Sequence, residues 1–90
     1  MDMEDALNKI QRIFERLDQL LALPRLPAKV DRDQLLAHRT NLKSLEDNIS
    51  SRMRCSAGQM KFVNSISRSV NGSWEVVTLA KNPKPKVNPR

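Results

Sequence analysis

The chain reads as an all-α protein: a helical hairpin with one long second helix and a short third helix, dimerising into an antiparallel four-helix bundle. Three observations predict this. Apolar residues recur at spacings of three and four over residues 3–23, then every seven over residues 35–70. No proline interrupts residues 31–72. Ninety residues with 39% hydrophobic and only 3% aromatic content leave a thin aliphatic core, which a lone short chain closes poorly.

The first helix covers residues 3–23, where Met3, Ala6, Leu7, Ile10, Ile13, Phe14, Leu17, Leu20 and Leu21 form one apolar stripe. Asp2, Glu4 and Asp5 sit at its start, where the helix dipole favours negative charge. Pro24 ends it, because proline lacks the N–H and constrains the preceding residue. "PRLPAKV" is then a stiff connector.

The second helix starts at Asp31, which can cap it, with Gln34 placed to reach back as in a capping box. One column at seven-residue spacing holds Leu35, Leu42, Ile49, Ser56, Val63 and Val70, and a second holds His38, Leu45, Arg52, Gln59 and Ile66. The reading is one helix from about 32 to 70, with a helix broken at 56–58 as the alternative, since Gly58 costs about 1 kcal/mol against alanine. "NGS" at 71–73 stops it, Gly72 suiting a left-handed turn. A short third helix follows from 74 to 81, with Trp74 packing it onto the bundle. The tail "KNPKPKVNPR" has three prolines and four positive charges and is expected to be disordered.

A second helix of about 39 residues is a rod of roughly 58 Å, and the first helix covers half of it. The uncovered seam calls for a second copy, paired antiparallel in a bundle. The interface residues are Leu42, Leu45, Ile49, Arg52, Met53, Met60, Val63 and Ile66, with the methionines supplying adaptable packing.

Charge is unevenly spread. Residues 1–38 carry six Lys/Arg against seven Asp/Glu, residues 39–72 six against two, and residues 73–90 four against one. The positive second half favours an anionic partner. Cys55 and His38 are single, so no disulfide or metal-ligand set can be built. No paired carboxylates or nucleophile–base set appears, so the chain is read as no enzyme, with no cofactor and no small-molecule substrate. "MDMEDALNKI" lacks a signal pattern, and no apolar run reaches a membrane span.

The face opposite the seam carries Arg54, Lys61 and Arg68 in line, about 10.5 Å apart. Asp47 begins the same column, and around it stand Lys43, Ser50, Ala57 and Asn64, and Ser44, Ser51, Gly58 and Ser65. A solvated helix face normally mixes long residues of both signs. Small residues here leave clearance for a phosphate backbone. A-form RNA offers a wide shallow minor groove lined with 2′-hydroxyls, which suits Ser and Asn, while Arg and Lys suit phosphates. Phe14, Phe62 and Trp74 make no stacking platform for single strands. The residues of that face other than Asp47 and Ser44 are the candidate RNA contacts. A coiled-coil interaction or chaperone-like subunit, and a small basic DNA-binding protein, are the alternatives.

The hairpin, the basic helix with "KFVNSI", and "SWEVVTLAK" before a Lys/Pro-rich end resemble the small nodaviral suppressors of RNA silencing, over about residues 3–80. The resemblance implies a homodimer that coats double-stranded RNA without sequence preference. Such coating shields the RNA from dicing and sequesters small interfering duplexes in the host cytoplasm, with host silencing proteins as further partners. It matches Arg54 and Lys61 to the family's basic positions, Ser65 to a small polar contact and Lys43 to an earlier basic one. The expected organisation is a single dimerisation and RNA-binding domain over residues 1–80, followed by a basic tail over 81–90.

Overall fold

The computed structural model describes residues 3–81: three helices and, among these residues, no strand. Helix α1 spans Met3–Leu21, α2 spans Arg32–Arg52 and α3 spans Ala57–Lys81. Most of the proposed tail, residues 82–90, lies outside the described residues, as does Asp2.

Each boundary has a local cause. Helix α1 ends three residues before Pro24, its last turn continued by the Ala22 N–H on the Asp18 carbonyl (3.0 Å). Asp31 caps α2, accepting the Asp33 N–H at 2.9 Å. The cap bond thus goes to the second helical residue.

The helix expected to run from 32 to 70 is instead two helices. Met53 is left-handed (φ 56°), and the Arg54 N–H reaches back to the Ile49 carbonyl at 3.3 Å, closing α2 with a Schellman-type bond. A non-glycine residue in this conformation costs roughly 1–2 kcal/mol. Three residues on, Ser56 and Gln59 form a reciprocal capping box. The Ser56 hydroxyl accepts the Gln59 N–H at 3.1 Å, and the Gln59 amide oxygen accepts the Ser56 N–H at 2.9 Å. "SAGQ" is thus a helix start. The break lies at 53–56, just before the 56–58 break weighed as the alternative.

Helix α3 also corrects the separate short helix at 74–81. It runs through Asn71, Gly72 and Ser73 without interruption, and neither glycine has a positive φ. Packing outweighs the local stop signal. Val70 and Val77 are buried on either side of Gly72, and Trp74 is half-buried against the core.

Side-chain pairs give the topology. Arg39 of α2 meets Asp18 of α1 at 2.8 Å, and Arg32 donates to the Leu21 carbonyl at 2.8 Å, so α1 and α2 are antiparallel. Lys9 meets Asn64, and Arg16 meets Asn71 at 2.9 Å, so α1 and α3 are parallel. Gln59 reaches Asn48 at 3.0 Å and His38 reaches Ser69 at 3.1 Å, making α2 and α3 antiparallel. The chain is an up-down-up bundle, with α1 packed against both other helices.

This changes what covers the seam. Ile10, Leu17, Leu20, Leu35, Leu42, Ile49, Val63 and Val70 are all fully buried within one chain. Of the proposed dimer-interface residues, Leu42, Ile49, Val63 and Ile66 are therefore core, and Leu45 and Met60 pack half-buried against it. Arg52 and Met53 are exposed at the break, Met53 by 72%. Folding α3 back onto α1 removes the half-covered rod from which a second copy was inferred.

Candidate nucleic-acid interface

The break also rearranges the predicted basic face. Lys61 and Arg68 remain on α3, two turns apart and both exposed, with Ser65 exposed between them. Seven residues put their Cα atoms about 10.5 Å apart. Arg54 no longer continues that line. It lies in the connector between α2 and α3, exposed beside Arg52. Ala57 and Gly58 are exposed in the first turn of α3, and a Cβ on Gly58 would meet only the Ser56 hydroxyl at 3.9 Å.

Four further candidates lie off that line. Lys43 sits on the flank of α2 that faces α1, beside Gln11, Phe14 and Asp18. Its ammonium lies 3.4 Å from Glu46 and 3.7 Å from Asp47. Ser50, one heptad on, shares that flank, away from the α3 ridge. Asn64 lies on the side of α3 that faces α1 and accepts a hydrogen bond from Lys9. Ser51 is exposed on the outer face of α2.

The fold brings in cations that the heptad columns did not include. Lys9, Arg12 and Arg16 are spaced three and four apart on α1 and line a groove against Ser67 and Asn71 of α3. Arg16 donates to Asn71 and its guanidinium lies 5.0 Å from the Trp74 ring centre, which fixes its position without neutralising it. The first 38 residues sum to a negative charge, which hides this stripe in the linear sequence. A helical wheel of α1 would have found it, with Glu15 and Asp18 on other sides and Asp5, one turn before Lys9, as the acid at its start.

The surface centred on α3 therefore has two unlike borders. Towards α1 it gains Lys9, Arg12 and Arg16. Towards α2 it meets Asn48 and His38, which touch α3 directly. Between residues 34 and 74 the only acids are Glu46 and Asp47, and both are tied to Lys43 on the α1 flank of α2. The α2–α3 border is thus free of carboxylates over most of its length. Among the described residues, Arg12, Lys61 and Arg68 have no side-chain hydrogen bond or ion pair.

His38 lies where α2 faces α3, in a groove with Lys29, Asp31, Ser69 and Ser73. Partial burial holds its pKa below the ordinary value of 6.5. Cys55 is a buried free thiol. Among the described residues no group of His, Cys, Asp and Glu could hold a metal ion, and no helix is long and apolar enough to cross a membrane.

No family model, no curated protein and no solved structure matches the chain.

Proposed function

We propose that this protein binds double-stranded RNA without sequence preference, through the surface centred on α3. One observation carries the reading. Lys61 and Arg68 stand unpaired on an exposed ridge, flanked by Lys9, Arg12 and Arg16 on α1 and by an α2 border free of carboxylates over most of its length. Five cations over a few helical turns make a field suited to a phosphate backbone. Ser65 between the two ridge cations leaves clearance and offers a hydroxyl to ribose.

The composition of the site favours a duplex: among the described residues this surface has no run of exposed aromatic rings on which single-stranded bases could stack. Between Lys61 and Arg68 the polar side chains are the short Asn64, Ser65 and Ser67, so hydrogen bonds fall on phosphate and sugar. Coating of duplex RNA in this way would protect it from dicing and sequester small interfering duplexes. That is the role implied by the resemblance to the nodaviral silencing suppressors, with a homodimer as the acting unit.

The test is fluorescence anisotropy with duplex RNA of two unrelated sequences, duplex DNA and single-stranded RNA, at several salt concentrations. Similar affinity for the two RNA duplexes, steep weakening with salt and weaker binding of the other probes are expected. Tighter binding to duplex DNA would assign the surface to a DNA-binding protein. No binding to any nucleic acid at low salt would favour a protein-interaction subunit.

A further inference from the structure

We propose that the groove between α1 and α3 is a discrete site for a phosphate monoester group, either the terminal phosphate of a nucleic-acid strand or that of a small phosphorylated molecule. The site shares Lys9, Arg12 and Arg16 with the duplex surface, yet it takes its ligand whether or not that surface binds a duplex.

Two helices build the walls. Lys9, Arg12 and Arg16 of α1 and Ser67 and Asn71 of α3 line a cavity of about 250 Å³, with the buried Ile13 among them. That is below the range of pockets that enclose drug-sized ligands, so the group it takes is small. No described carboxylate lines it.

The charges are held in place without being neutralised. Lys9 donates to the Asn64 amide oxygen, and Arg16 donates to that of Asn71 at 2.9 Å. Both partners are neutral, so each cation keeps its charge. The Arg16 guanidinium also lies 5.0 Å from the Trp74 ring centre. Arg12, between the two, has no side-chain hydrogen bond or ion pair among the described residues. Elsewhere Arg39 and Lys43 are matched to Asp18, Glu46 and Asp47. Spacings of three and four set Lys9, Arg12 and Arg16 side by side on α1, where like charges repel. A bound anion offsets that repulsion, and a dianion offsets it more than a singly charged diester does.

The donors suit a monoester. The Asn71 amide oxygen accepts from Arg16, which leaves two amide N–H groups to donate, and the Ser67 hydroxyl adds another donor. Arg12 offers a planar fork that matches two phosphate oxygens at once. A monoester presents three terminal oxygens, so Arg12, Arg16 and the α3 donors can be engaged together. A diester within a strand presents two.

Trp74 is the only tryptophan in the chain, so its fluorescence reports on Arg16. The full chain is titrated at low salt with methyl phosphate and with dimethyl phosphate, at a pH above the monoester's second pKa of about 6. Calorimetry follows the same titrations should the indole stay silent. Half-saturation by methyl phosphate at about 1 mM or below is expected, with dimethyl phosphate at least about tenfold weaker. Arg12→Ala has no bond in the bundle to lose. It is expected to keep the parent's circular dichroism and to weaken methyl phosphate about tenfold, with Arg12→Lys in between because it keeps the charge and loses the fork. A second arm identifies the source by comparing duplex RNA carrying a 5′-phosphate with the same duplex carrying a 5′-hydroxyl. An advantage of the phosphorylated duplex that vanishes in Arg12→Ala assigns the site to a strand end. Equal binding of the two duplexes, with methyl phosphate still bound, assigns it to a small molecule. No saturation by methyl phosphate up to about 10 mM, equal affinity for dimethyl phosphate, or binding unchanged in Arg12→Ala would each overturn the proposal. The first arm contains no nucleic acid, so its failure is distinct from a failure of duplex binding.

Discussion

The double variant Lys61→Ala, Arg68→Ala gives the sharpest measure of the α3 ridge. Both side chains are exposed and make no side-chain bond among the described residues, so their removal leaves the bundle intact. Circular dichroism and melting should match the parent closely, since surface changes of this kind stay within about 0.5 kcal/mol. Binding should change in a defined way. Each phosphate contact contributes about 0.9 to the slope of log affinity against log salt on a B-form duplex. Loss of two contacts per chain flattens that slope by about 1.8 for each chain bound, or about 3.6 for a homodimer. Raising salt fourfold, from 50 to 200 mM, should then weaken the variant about twelve times less per bound chain than it weakens the parent. At low salt the variant should bind all duplex RNA sequences more weakly by a similar factor. Anisotropy titrations at four salt concentrations provide both numbers. An unchanged slope with an intact fold would show that the ridge is an ordinary solvated surface.

Three further outcomes follow from the fold. Ser56→Ala removes the α3 cap and should cost about 1 kcal/mol of stability by urea denaturation. Gly72 is helical with open space around its Cα, so Gly72→Ala should stabilise the bundle by up to about 1 kcal/mol in the same assay; destabilisation would mean that the helix is interrupted there. His38 is held neutral by burial, its folded pKa lying below the unfolded 6.5, so its contribution is complete above pH 6.5 and lost as pH falls through the folded value; the melting temperature should drop on acidification there, and less so in His38→Gln.

Much of the local structure was legible in the chain. The stripe from Ala6 to Leu20, the stop before Pro24 and the Asp31 cap are short-range matters of periodicity and hydrogen bonding, and they stand as read. The buried column from Leu35 to Val70 was also legible, because a seven-residue repeat names the buried face whatever covers it. The break was weighed at 56–58 only as the alternative to a continuous helix, and it lies at 53–56. The signal existed in "SAGQ", a capping box with both bonds made, yet the heptad phase carried through it and argued for continuity. At "NGS" the error ran the other way: a stop signal was present, and the burial of Val70 and Val77 overrode it.

The linear chain by itself determined helical content, the identity of the apolar faces and the excess of positive charge after residue 38, because each depends on residue type and spacing alone. Only the tertiary structure decided that α3 turns back on α1, and with that turn everything non-local. It converted Leu42, Ile49, Val63 and Ile66 from a surface awaiting a second copy into core. It separated Lys43 and Ser50 from the Lys61–Arg68 ridge, and it set Lys9, Arg12 and Arg16 beside that ridge from more than forty residues away. The physical reason is that a seven-residue repeat specifies which face must be buried but not which helix buries it. That choice rested on four residues, Met53 to Ser56, where a left-handed methionine and a reciprocal cap tip the balance between a hairpin and a rod.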